Sequence, residues 1–284
     1  MKKIFKIFVN VFAVMLCAIA AITFTACRDI KTVEVNFSVY NYTDSKYEDH
    51  VLTVDLYRHL APKTVDNVIS AIEDGYYDGA LLYQLVSAGS QLMVGEYKAD
   101  GTNIVKQADR PTVEGEFSAN GLSGSNLVNK KGYIGLWRSY TKDAGTFTKS
   151  DSGRNSGSAV WYIPTATISN YDGYFAVFAK VDMDSDANTA TYTALQTIFT
   201  NSDYYELYDV FYTVGEGDAL TLYMIKSSDL EDDDKYDEDA KTYDGQAIFE
   251  AKGSDLVSMN MHKIRLPAIK NGKRNATVTS IKLK

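Results

Sequence analysis

Residues 51–79 read VLTVDLYRHLAPKTVDNVISAIEDGYYDG, and the fold is decided here. Leu52, Val54 and Leu56 alternate with Thr53 and Asp55, the period-2 pattern of a half-buried strand. Pro62 stands where a first helical residue can be proline, because its missing N–H would be unpaired there anyway. Val65, Val68, Ile69 and Ile72 follow at i, i+3, i+4 and i+7, one apolar stripe of a helix. Gly75 ends that helix, and Asp78-Gly79 is a turn dipeptide. Outward from this unit, residues 33–39 (VEVNFSV) alternate as a first strand, and the polar residues 41–49 turn the chain back. At the far end, residues 277–283 (TVTSIKL) alternate again and are expected to pair beside that first strand.

The segment LYRHLAPKTVDNVISAIEDGYYDG resembles the start of a cyclophilin-type peptidyl-prolyl isomerase domain, where APKTVxNF leads through a helix to GYYDG. Further likenesses follow in the family's order. Residues 113–117 (VEGEF) resemble IxxEF, and 132–138 (GYIGLWR) resemble GxLSMAR. Residues 154–163 (RNSGSAVWYI) resemble NSxSSQFFI, and 171–181 (YDGYFAVFAKV) resemble LDGxxxVFGKV. The resemblance covers residues 33–201, with the last strand returning at 276–284. It implies a mainly β fold, a closed eight-stranded barrel with a helix over each end. The chain then divides into a leader (1–26), a tether (27–32) and a domain (33–284) carrying a β-rich insertion at about 202–265.

The same resemblance implies a site. LLYQLV (81–86) is similar to the family's FHRVI strand, and Gln84 takes the place of its essential arginine. In the family that guanidinium hydrogen-bonds the prolyl nitrogen and withdraws it from amide resonance, lowering a barrier of about 18–20 kcal/mol. Glutamine donates without charge, and charge-assisted bonds are about twice as strong. Losing such a donor costs on the order of 3 kcal/mol, or about 10²-fold in rate. Read without the resemblance, Gln84 is a polar residue on a strand face. Residues 87–96 (SAGSQLMVGE) resemble PGFMxQGGD with slips. One alignment puts Ser90, Gln91 and Met93 at the pocket Phe, Met and Gln; another puts Leu92 and Met93 at Phe and Met. Met93 lines the expected pocket in either. Val160 replaces a peptide-binding Gln, Tyr162 a pocket Phe, and Tyr171 and Phe175 fall at the pocket Leu and His. The proline pocket is thus expected to be aromatic but rebuilt. Read alone, residues 175–178 are simply a buried strand.

Lys2, Lys3 and Lys6 precede an apolar run over residues 7–24, and Phe24-Thr25-Ala26-Cys27 closes it with small residues before a cysteine. This is the pattern of a bacterial lipoprotein signal. Cys27 is the expected lipidation site, giving an extracytoplasmic, membrane-anchored protein. An uncleaved signal-anchor helix and an unlipidated signal are the competing readings. Cys17 would leave with the leader, so neither of the chain's 2 cysteines remains for a disulfide, a thiol nucleophile or a metal. Loss of three lysines takes the net charge from −8 to −11. So acidic a domain is not expected to bind nucleic acid.

No metal or cofactor is expected. His50, His59 and His262 are scattered, and no GxSxG, P-loop or GxGxxG occurs. Asp182, Asp184 and Asp186 have the spacing of a calcium-loop opening, but Ala187 and Thr193 replace its Gly and Glu, so a solvated loop before a helix at 189–200 is expected. Residues 141–154 form a long polar loop of the kind that rims grooves or lies idle. In the insertion, residues 209–214 and 220–225 read as a hairpin, 246–250 and 256–264 as further strands, and 230–240 as an acidic solvated run. Three functions compete. One is isomerisation of X-Pro bonds in unfolded secreted proteins or proline-containing peptides, with weakened activity. The second is a catalytically inactive peptide-binding module on the same scaffold. The third is a solute- or glycan-binding lipoprotein that uses its many tyrosines.

Overall fold

A computed structural model describes residues 29–100, 103–122, 127–140, 142–143, 146–147, 152–214, 220–229, 236–237, 242–243, 246–247, 251–252, 255–256 and 262–284. The leader and Cys27 lie outside these residues, as does most of the acidic run. The principal strands are β1 (Ile30–Asn41), β2 (Lys46–Tyr57), β3 (Gln84–Leu85), β4 (Gln91–Val94), β5 (Tyr133–Leu136), β6 (Trp161–Pro164), β7 (Val177–Val181), β8 (Tyr205–Val214), β9 (Leu220–Lys226), β10 (His262–Pro267) and β11 (Ala276–Leu283). Two helices, α1 (Pro62–Glu73) and α2 (Asp186–Ile198), pack on them.

One curled antiparallel sheet of 7 strands carries the fold, in the order β11-β1-β2-β7-β5-β6-β4. β1 and β2 form the expected hairpin, Val33 opposite Val54 and Val35 opposite Leu52. β11 returns beside β1, with a register shift between Asn36 and Phe37. The apolar alternation of β1, β2 and β11 therefore lands on one inner face.

The expected closed barrel is not formed. The segment meant to bridge the two edges of the sheet, residues 81–86, does not run as one strand. Leu81 makes a single bridge to Thr277 of β11, and Tyr83 a single bridge to Met93 of β4. Gln84 and Leu85 then leave to pair with Arg265 and Ile264 of β10. β10, at the end of the insertion, thus occupies an edge of these two residues, and only single bridges tie the rest of the segment to β11 and β4. The sheet stays a curled half-barrel.

α1 starts at Pro62 and stops before Gly75, whose φ of +65° suits glycine. Val65 and Val68 are buried from its stripe, while Ile69 and Ile72 are partly buried against the same core. Its first turn has no side-chain cap of its own. Glu116 supplies one from a distance: its carboxylate accepts from Lys63 N at 3.0 Å and Thr64 N at 2.8 Å. α2 starts three residues earlier than expected, because Ser185 caps it by accepting from Asn188 N. Asn188 and Thr191 bond the backbone of β2, and the Tyr192 hydroxyl donates to Pro164 O at 2.6 Å.

β8, β9, β10 and β3 form a second sheet of 4 strands. Arg274 and Lys226 both pair with Glu206 there, at 2.7 and 2.8 Å, and Arg274 also donates to Tyr208. Burial alone would raise the Glu206 pKa, but the hydrogen bond from Lys226 and the charge of Arg274 outweigh it and hold the carboxyl below its usual range.

Candidate functional site

The two faces of the curled sheet feed two different cores. Leu92, Val94, Trp161 and Ile163 turn inward with α1 and α2. Met93 and Tyr162, which are register partners, turn outward, and Tyr83, bridged to Met93, shares that face. Tyr171 and Phe175 arrive from the turn before β7 and stack on one another at 4.3 Å between ring centres. Of the expected pocket residues, Met93, Tyr162, Tyr171 and Phe175 are thus brought together in one outer cluster. Gly135 permits it, since a Cβ there would run into the Tyr162 ring. Asn129 accepts the Tyr162 hydroxyl and is itself held by Asp172. Burial raises the pKa of Tyr162 well above its ordinary value and pushes Tyr171 to about 12.

Val160 lies at the edge of this cluster and borders an open polar cleft of about 190 Å3, together with Tyr76, Trp137, Arg138, Ser156 and Ser158. Gln84 stands apart. Tyr83, its predecessor, faces the cluster, whereas the Gln84 side chain donates to Gly89 O at 2.8 Å and accepts from Arg265 Nη1. Arg265 is the register partner of Gln84, and its guanidinium also sits 5.1 Å from the Tyr205 ring centre. Its neighbours Ile264 and Leu266 are the β10 residues that enter the outer cluster.

The cluster is filled. Met93, Tyr162, Tyr171 and Phe175 are all less than 5 % exposed. Trp137 stacks on Phe175 at 5.7 Å. Phe147 stands edge-on to Tyr171 at 5.4 Å and to Phe175 at 5.5 Å, with Tyr140 against it at 5.0 Å. Phe147 comes from the 141–154 loop, read from sequence as a groove rim or an idle surface loop; its ring is buried in the cluster. Tyr208 and Val210 of β8 also join this core. The Arg138 guanidinium lies 4.9 Å from the Phe175 ring centre, and its Nε donates to Tyr174 O. The contributions of Trp137, Tyr140 and Phe147 were not foreseen; an aromatic in a polar loop such as that of Phe147 carries no period that says where it will point.

The structure is thus a mainly β half-barrel with two helices packed on its inner core and an aromatic-walled outer cluster. The profile of the cyclophilin type peptidyl-prolyl cis-trans isomerase/CLD family matches residues 42–214. The chain belongs to that cyclophilin-type family. A crystal structure of a cyclophilin type peptidyl-prolyl cis-trans isomerase from Cryptosporidium parvum is similar at 16% identity, covering 59% of this chain and 83% of that one with a TM-score of 0.38. No curated protein matches the chain in sequence. Among the described residues, no group of three or more His, Cys, Asp or Glu could hold a metal ion, and no helix is long and apolar enough to cross a membrane.

Proposed function

We propose that this protein is a peptidyl-prolyl isomerase of extracytoplasmic polypeptides, held at the membrane through Cys27, with turnover weakened relative to an arginine-bearing cyclophilin. The observation that carries the reading is the convergence of Met93, Tyr162, Tyr171 and Phe175 on one outer face in a chain of this family. An apolar, aromatic wall of that kind suits a prolyl ring. The weakened rate follows from chemistry at Gln84, a neutral group whose amide is spent on Gly89 and Arg265. Uncatalysed isomerisation takes tens to hundreds of seconds, so even a modest catalyst shortens folding of exported chains.

The second reading, an interaction module without turnover, is favoured by the filling of the cluster by Phe147. A protease-coupled assay on an alanyl-prolyl tetrapeptide separates the two. The proposal expects measurable kcat/KM about 10²-fold or more below that of a cyclophilin with its arginine. Full cyclophilin speed would refute the weakening. No turnover, with peptide still bound in titration, would leave the interaction module.

A further inference from the structure

A second hollow, of about 220 Å3, opens between the turn of the β1–β2 hairpin and the last turns of α2. It shares no residue with the outer cluster or with the polar cleft beside Val160. Val39 and Ile198, both of the inner core, give it an apolar floor. Tyr40, Tyr42 and Tyr204, all half-buried, line it above. Tyr42 lies flat on Tyr204, with 3.6 Å between ring centres, while Tyr40 stands edge-on to Tyr42 at 86°, so the rings meet in a corner.

The polar groups of this hollow still have hydrogen bonds to give and take. The Tyr42 hydroxyl accepts from Asn275 Nδ2 at 2.6 Å and keeps its own hydrogen for another acceptor. The hydroxyls of Tyr40 and Tyr204 and the ring of His50 make no hydrogen bond among the described residues. Charge, by contrast, is already spent. The Glu48 carboxylate accepts from Asn41 Nδ2 at 3.1 Å and pairs with Lys46 at 3.2 Å. No lysine or arginine lines the hollow, so an anion finds no counter-charge there. A cation finds a carboxylate that is already paired. Flat apolar rings edged with neutral hydrogen-bonding groups suit a neutral ring that has one C–H face and a rim of hydroxyls. The volume is below the roughly 300–1,000 Å3 of sites for drug-sized ligands, and so fits one such ring.

We propose that this hollow binds a neutral sugar, a single pyranose unit of a glycan, at a site separate from the prolyl one. The C–H face of the sugar lies on a tyrosine ring, and its hydroxyls exchange hydrogen bonds with Tyr40, Tyr42 and His50. The inference stands independently of the isomerase reading.

The test titrates the full chain with the methyl glycosides of glucose, galactose, mannose and N-acetylglucosamine, followed by saturation-transfer NMR. At least one should bind saturably with a Kd on the order of 1 mM, as befits so small a ligand. Tyr42→Phe, which keeps the ring and removes the hydroxyl, should weaken binding by roughly 2- to 10-fold. Tyr40→Ala should weaken it by about 10-fold or more. Tyr40→Leu, which keeps an apolar filler should the alanine variant unfold, should weaken it in the same direction. Glu48→Gln should change it by less than about 2-fold, because its charge is not what the sugar meets. Tetramethylammonium, the cationic probe, should not bind. Absence of saturable binding by all four sugars overturns the proposal, as does sugar binding that Tyr42→Phe and both Tyr40 variants leave unaltered. Binding of tetramethylammonium that Glu48→Gln abolishes overturns the neutral class of ligand.

Discussion

Removing the Glu116 carboxylate tests how the first helix is started. Two backbone N–H groups at the head of α1, those of Lys63 and Thr64, end on it at 3.0 and 2.8 Å. Hydrogen bonds to charged groups contribute about 1.5–3 kcal/mol each. The two losses differ: Lys63 is exposed and its N–H can turn to water, whereas Thr64 is 0% exposed and its N–H cannot. Glu116→Ala is therefore placed at about 3 kcal/mol, near the lower end of the sum of two such bonds. Part of that is the favourable placing of a negative charge at a helix N-terminus. Glu116→Gln keeps one acceptor but turns an NH2 group toward an N–H, and should lose about half as much. Urea denaturation with a slope of about 1–3 kcal/mol/M reads the alanine loss as a midpoint shift of roughly 1–3 M. Glu114→Ala is the control, because the Glu114 pair with Lys63 is exposed on both sides and exposed pairs contribute little. If Glu116→Ala falls within about 0.5 kcal/mol of the parent at unchanged slope, as surface substitutions do, the carboxylate does not hold the helix.

Val68→Asp should destabilise severely, because Val68 is 3% exposed against the inner core and an unpaired charge would be buried there; an unchanged melting temperature contradicts the helix-face assignment. Gln84→Arg should lower stability, since its guanidinium would meet that of Arg265, and the double change Gln84→Arg with Arg265→Gln should recover it; equal stability of all three chains would deny that contact. Cys27→Ala should leave the membrane fraction or remain unprocessed, and membrane retention with normal processing defeats the lipoprotein assignment. Tyr171 and Tyr76 are both held at about 12 by burial, above the ordinary value of 10.0. A folded pKa raised above the unfolded one gives stability that is complete below pH 10.0 and lost as pH rises through about 12. Circular dichroism with tyrosinate absorbance should therefore show cooperative unfolding in that window, and gradual tyrosine titration in a still-folded chain would refute it.

The sequence carried the architecture where local pattern and burial coincide. The alternation of residues 52–56 and the stripe Val65, Val68, Ile69 and Ile72 each have one physical solution, and both are found. The return of 277–283 beside the first strand was legible for the same reason. The missing closure was not, because residues 81–86 look equally strand-like whether they pair with β4 or with β10. That choice is made by an insertion with no recognisable counterpart. Met93, Tyr162, Tyr171 and Phe175 could be placed from the order of the motifs. Which way Gln84 faces could not, since it depends on where a two-residue strand begins. Glu116 could be matched as part of VEGEF, but its duty to a helix 52 residues earlier shows only in three dimensions.

β1 is bordered by β2 on one side and by β11 on the other, so a strand that starts at Ile30 is completed by one that ends at Leu283. Asn36 reaches across that seam to Ser280, a sequence separation of 244 residues. Closing so long a loop is entropically costly, though the cost grows only slowly with length. It does make the chain topologically slow. During vectorial emergence, one edge of β1 stays bare until the eight residues of β11 arrive, through the whole time that the helices and the insertion are being delivered. An exposed edge is a template for foreign strands. The chain thus matures with an open template along β1, and removal of β11 should convert it from a slow folder into an aggregating one.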